Sequence, residues 1–194
     1  YRAYLKIDRD MFFGRGLNLA VMAAANLVLG QDDRQAQERF TAAKAYLKAM
    51  SFDSGLTTVD AIRARALLDA GRPREAAEVA TAAARFAAEH GQADLLWQVQ
   101  ALRGEALAAI GQHDEAERAF RAAQTAIEAV SGALATDGSK RQFSIGKDDI
   151  TRRLVAYDLD RNNHARAFAA LEQGRARAFV DMVGQVKLSK GRNV

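Results

Sequence analysis

The side chains best suited to proton transfer or metal binding in this sequence of 194 residues are three histidines, His90, His113 and His164. They fall at the ends of separate helical patterns, and none has a carboxylate or cysteine partner at a metal-like spacing. They read as solvated or helix-capping residues. Phosphate binding would draw on glycine next to lysine or arginine. Gly14-Arg15-Gly16 and the stretch GSKRQFSIGK at 138–147 have that composition. Neither follows a predicted strand, as a phosphate-cradling loop requires, so both read as ordinary loops. Aspartate and glutamate pairs are abundant, but on amphipathic helices such pairs decorate the wet face, and none is placed as a general acid with its base. With no cysteine there is no thiol nucleophile, disulfide or cysteine-bound zinc. The expectation is a chain that is not an enzyme and carries no cofactor or metal.

Basic side chains concentrate in the last third, at Lys140, Arg141, Lys147, Arg152, Arg153, Arg175 and Arg177. Such a cluster suits a phosphate backbone or an acidic partner, yet it lacks interleaved aromatics and any groove-reading motif, which argues against nucleic acid. The net charge of +4 is small, and the two signs are interleaved along the chain. LNLAVMAAANLVLG at 17–30 is too short and too alanine-rich to span a membrane, and no signal peptide is visible. The absence of cysteine does not choose a compartment, although the cytoplasm is the expectation. A first residue of tyrosine suggests a piece of a longer protein.

The elements that would position these groups are helices. Hydrophobic residues make up 49% of the chain and aromatics only 7%, so alanine dominates the apolar content, which favours closely packed helices over a sheet. Pro73 is the single proline. Shifting the sequence by forty residues aligns AQERFTAAKAYL from Ala36, AAEVATAAARFA from Ala76 and AERAFRAAQTAI from Ala116, with alanine at the first, seventh and eighth places of each. Each segment follows a glycine (Gly30, Gly71, Gly111) that ends the preceding apolar pattern, so the unit is helix, tight turn, helix. Pro73 suits the first position of its helix, and Asp32, Asp33, Asp114 and Glu115 suit helix N-termini. Helices are predicted near 14–30, 33–50, 58–70, 73–90, 93–110, 113–132, 147–160 and 163–185, grouped as pairs over 14–50, 58–90, 93–132 and 147–185. In the fourth pair Ile150, Leu154 and Tyr157 share a face, and Asn162 or Asn163 can cap the second helix.

GEALAAIGQHDEAERAFRAA, from Gly104 to Ala123, resembles the tetratricopeptide repeat family at Gly104, Leu107, Gly111, Ala116, Phe120 and Ala123. The period of forty residues is longer than that family's thirty-four, and the proline after the second helix is missing. The resemblance implies an all-α fold, a right-handed superhelical solenoid of about four antiparallel helix pairs, with a concave groove lined by the first helix of each pair. It carries the groove-lining positions onto Thr58, Arg65, Leu68 and Asp69 in one pair and onto Gln98, Ala101 and Glu105 in the next. The implied function is a non-catalytic scaffold for a peptide or protein partner. The first helix, with Leu17, Leu19, Val21, Met22, Leu27, Val28 and Leu29, offers only Asn18 and Asn26 as polar groups. It is expected to be buried against a preceding repeat, with a hydrophobic ligand groove as the alternative.

The last sixty residues carry a second likeness. Arg141 with Phe143, the helix from Leu154 to Leu159, and then Glu172, Arg175, Ala176, Arg177, Ala178 and Asp181 are similar to the terminal repeat that precedes the caspase-like CHAT domain in proteins carrying tetratricopeptide arrays. This implies a regulatory or substrate-recruiting array whose peptidase lies beyond Val194. Glu172, Arg175, Arg177, Phe179 and Asp181 would then form the junction to the next domain. Within EQGRARAFVDMV the helix is expected to continue through Gly174, with glycine allowing close packing. The spacing lets Glu172 pair with Arg175, and Arg177 with Asp181.

Overall fold

The computed structural model describes residues 2–133, 150–172 and 174–175, with side chains from residue 14 onward and as far as 130 in the first stretch. All regular structure among the described residues is α-helical: α1 (Arg2–Val28), α2 (Asp33–Ala49), α3 (Asp53–Asp69), α4 (Pro73–Glu89), α5 (Ala93–Ala109), α6 (His113–Ala133), α7 (150–160) and α8 (164–172). The chain divides into two compact units, Tyr1–Val130 and Ser131–Val194.

The turns recur with one geometry. Gly30, Gly71, Gly91 and Gly111 all take positive φ, between 63° and 79°. At the last of these, the N–H of Gly111 donates to Ala108 O at 3.0 Å and that of Gln112 to Leu107 O at 2.9 Å. This is the Schellman arrangement, which satisfies two carbonyls that the helix end would otherwise leave open. Ser51 and Asn162 occupy the same left-handed position, with φ of 51° and 57°, and their turns make the same two bonds. Asn162 therefore closes α7, while Asn163 stands where α8 begins, its carbonyl accepting from Ala167 N. Asp32 caps α2 by accepting from Gln35 N at 3.0 Å, and Pro73 opens α4.

Two helices begin earlier than the sequence pattern predicts, at residues 2 and 53 instead of 14 and 58. In both cases glycines lie inside the helix. A Cβ added to Gly16 would sit 3.0–3.3 Å from the branched end of Leu47, and one on Gly55 would meet Leu47 at 3.0 Å and Phe52 at 2.6 Å. The fully buried Leu47 thus fills space that two glycines on different helices leave for it. Burial of this side chain outweighs glycine's helix penalty of about 1 kcal/mol. Gly14-Arg15-Gly16 accordingly lies within α1 and not in a loop, with Gly16 as its packing contact.

In the first unit consecutive helices pack together, and α1 with α3 and α3 with α5 pack side by side as well. The first and eighth alanines of each forty-residue segment, Ala36 and Ala43, Ala76 and Ala83, Ala116 and Ala123, are fully buried. Between them the fifth place is Phe40, Ala80 or Phe120, also buried, and its size is matched from across the pair. A Cβ on Gly104 would lie 2.7 Å from the Phe120 ring, whereas Ala80 shares a cluster with Ala64 and Leu102. At these two pairs the large Phe120 faces glycine and the small Ala80 faces alanine and leucine, which keeps the interior filled.

In the second unit Ile150, Leu154 and Tyr157 are buried, as the periodicity predicts, and so is Ala167. Residues 174–175 are helical, and a Cβ on Gly174 would approach Thr151 Cγ2 to 2.8 Å, so this glycine does permit close contact.

Candidate functional site

The row formed by α1, α3 and α5 carries the positions expected to line a groove. Arg65 and Glu105, forty residues apart, meet across α3 and α5: Nη1 donates to Oε2 at 2.8 Å and Nη2 to Oε1 at 3.2 Å. Asp69 adds a more distant contact to Arg65 at 3.9 Å. Both members of the close pair keep part of their side chains in solvent, so the fork-to-fork pairing neutralises charge at the surface more than it stabilises the fold. Thr58 is half-buried and donates to Ser54 O at 2.9 Å, and Gln98 is exposed with its amide 3.4 Å from Asp94 O.

Two of the expected groove residues pack wholly or partly inward. Leu68 is half-buried against the Ala64, Ala80 and Leu102 cluster. Ala101 is 3% exposed, and the matching Ala20 of α1 is fully buried as well. Counted back from the turn glycine, this position packs inward, which the carried-over register did not distinguish. The structure therefore brings together Arg65, Asp69 and Glu105, leaves Thr58 and Gln98 about two turns away on the same helices, and withdraws Ala101.

Several polar contacts that position this row went unread in the sequence. Lys44 Nζ of α2 donates to both carboxylate oxygens of Asp60 on α3, at 2.7 and 2.9 Å. Thr57 donates to Gln92 Oε1 at 2.5 Å in the interior, and Asn26 to Gln35 Oε1 at 3.0 Å. Arg72 bonds two carboxylates: Nη1 donates to both oxygens of Asp33 at 2.9 and 3.0 Å, while Nε and Nη2 donate to Glu75 at 2.7 and 2.8 Å. The hydrogen bond from Arg72 holds the Glu75 carboxyl below its ordinary pKa, and the same bond raises that of Arg72. Apart from Arg72–Glu75, these pairs join residues 9 to 39 positions apart, beyond the spacings within one helix that signal a partner.

The first helix differs from its counterparts. Counting back equally from Gly30, Gly71 and Gly111 aligns Asn18 with Val59 and Val99, and Ala25 with Ala66 and Ala106. The α3 and α5 members of both sets are buried, whereas Asn18 and Ala25 are exposed. Val21 and Met22 between them are 56% and 49% exposed. The face that α3 and α5 bury against the preceding pair is thus uncovered on α1.

At the expected junction, Arg175 Nη1 donates to Glu172 Oε1 at 3.1 Å on the surface, as the spacing predicts. Phe168 and Leu171 of the same helical stretch are exposed. Arg177, Phe179 and Asp181 lie outside the described residues, as do Lys140, Arg141 and Lys147 of the basic cluster. Arg152 and Arg153 are engaged with other groups. Among the described residues no group of His, Asp and Glu is placed to hold a metal ion, and no helix is long and apolar enough to cross a membrane. In comparisons with protein families, curated proteins and solved structures, the chain matches none.

Proposed function

We propose that this chain is a non-catalytic interaction scaffold that binds a peptide or protein partner along the face of its odd-numbered helices. The observation that carries the reading is the side-by-side row of α1, α3 and α5, in which residues forty positions apart become neighbours on one surface. A row of this kind offers an extended rigid platform, the usual binding surface of stacked helical pairs. The tetratricopeptide likeness supplies the finer form of the proposal, a right-handed solenoid with this row on its concave side. Because Arg65 and Glu105 satisfy each other, the platform suits a ligand held by shape, apolar contact and amide hydrogen bonds more than by charge.

The test is selection of peptides on the immobilised chain from a random display library, followed by affinity measurement with surface variants. Thr58→Arg and Gln98→Arg should each weaken the selected peptides about tenfold or more by obstructing the row. Arg34→Ala, on α2, should leave them within about twofold. Selected peptides indifferent to both row variants would refute this site.

A second reading is favoured by the close approach at Gly174 and the Glu172–Arg175 pair, which fall within the CHAT-associated likeness. Under it the row recruits substrates for, or controls, a caspase-like peptidase encoded beyond Val194. Sequencing the coding region downstream decides this: a domain with a His and Cys dyad supports it, and a stop codon or unrelated domain removes it.

A further inference from the structure

A second surface lies along α4, away from the paired charges of Arg65 and Glu105. It is a groove of about 550 Å³ between α4 and the end of α5, with Ala77, Leu107 and Ile110 among its apolar residues and Arg74 and Arg85 on its α4 wall. A cavity of about 500 Å³ adjoins it at Arg74 and Ile110. Ala77 and Leu107 are buried at its base, while Ile110 is half-exposed.

The first junction of the array differs from this one. There Arg72 in the α3–α4 turn bonds Asp33 at the start of α2 by two contacts of 2.9 and 3.0 Å. Forty residues on, the same two places hold Pro73 and Gln112, which cannot form an ion pair. Arg74 and Arg85 are exposed, and among the described residues neither makes a hydrogen bond or ion pair. They are eleven residues apart on α4, just over three turns, so they share a face about 16 Å from one another. Glu78, also exposed and on the same wall, sets a negative charge between them.

We propose that this groove docks an acidic–aliphatic segment of a partner protein, in which two carboxylates flank a short apolar run. Each guanidinium receives one carboxylate in a two-pronged contact, and the aliphatic side chains lie on Ala77, Leu107 and Ile110. An extended chain covers about 16 Å in about five residues, which fixes the spacing of the two acids. Glu78 repels a third carboxylate between them and so selects a neutral centre. The site goes beyond the odd-helix platform and stands or falls separately from it.

The experiment uses the whole chain and a fluorescein-labelled eight-residue peptide with glutamate at its first and sixth positions and leucine and alanine between, read by fluorescence anisotropy. Binding is expected, and the double variant Arg74→Glu with Arg85→Glu should weaken it about tenfold or more. Arg74→Lys with Arg85→Lys should stay within about fivefold, since the charges remain. Thr58→Arg should leave the peptide unaffected, which separates this groove from the odd-helix row. A circular dichroism spectrum matching the parent chain excludes misfolding of the charge-reversed variant. The proposal is overturned by failure of the peptide to bind, by equal affinity for the charge-reversed variant, or by single-stranded oligonucleotide displacing the peptide at lower concentration than unlabelled peptide does.

Discussion

Ser51 and Asn162 hold left-handed backbone conformations that Gly30, Gly71, Gly91 and Gly111 hold at the other turns of this type. A side chain at such a φ crowds the following carbonyl, at a cost of about 1 kcal/mol or more. Ser51→Gly should therefore raise stability by about 0.5–1 kcal/mol, seen as a higher urea midpoint with unchanged slope; a lower midpoint would show that unfolded-chain entropy dominates. The Arg72 cluster makes a second claim at this scale. Because Glu75 titrates below its unfolded value, its pairing stabilises the fold above the ordinary glutamate pKa near 4.5 and fades as pH falls through the lower folded value. Arginine stays charged throughout that window, so acidification acts through the carboxylates. Glu75 is about half exposed, and the contribution after solvent screening is about 1 kcal/mol or less. Arg72→Met should be less stable than the parent at pH 7, with the gap narrowing as pH is lowered from about 5 to 3. A gap that stays constant over that range would remove the ionic account.

At the level of the helix, the alanines record where two backbones must approach. Ala116 is fully buried, and Ala116→Leu should cost about 1–3 kcal/mol by overpacking; an unchanged melting midpoint would show that the site has room. Contact with a preceding pair matters equally. Val99 is fully buried on α5 against Ala83, Ala84 and Ala87, whereas Val21 on α1 is exposed. Val99→Ala should therefore cost roughly 2 kcal/mol and Val21→Ala less than about 0.5 kcal/mol, by chemical denaturation. Similar costs at the two sites would mean that the α1 face is covered in solution. The repeat, its turn glycines and its alanine stripes were legible because they depend on local spacing. The start of α1 was not, since Gly14 and Gly16 carry a local loop signal that only packing against Leu47 at Gly16 overrides.

For the molecule as a whole, charge separates the two proposed surfaces. The odd-helix row has Arg65 and Glu105 paired with each other, while the α4 groove carries two guanidiniums without a partner among the described residues. Raising sodium chloride from about 0.05 to 0.5 M should weaken the acidic peptide at α4 several-fold and leave ligands of the row within about twofold, as titrations at the two salt concentrations would show. Equal salt dependence at both would contradict the distinction. A modest net charge of +4 does not reveal this, because it sums over faces that bind differently.

The amino-acid sequence alone determined that the chain is helical, where most turns fall, and which alanines sit at the closest approaches. Those features follow from periodicity of three to four residues and from glycine's access to positive φ, both of which are local. Tertiary structure decided which of the abundant charges meet. Arg65 finds Glu105 and Arg72 finds Asp33 because helix pairs bring residues about forty apart into contact. It also withdrew Ala101 from the surface and left Arg74 and Arg85 without partners among the described residues, because each depends on what neighbouring helices place opposite.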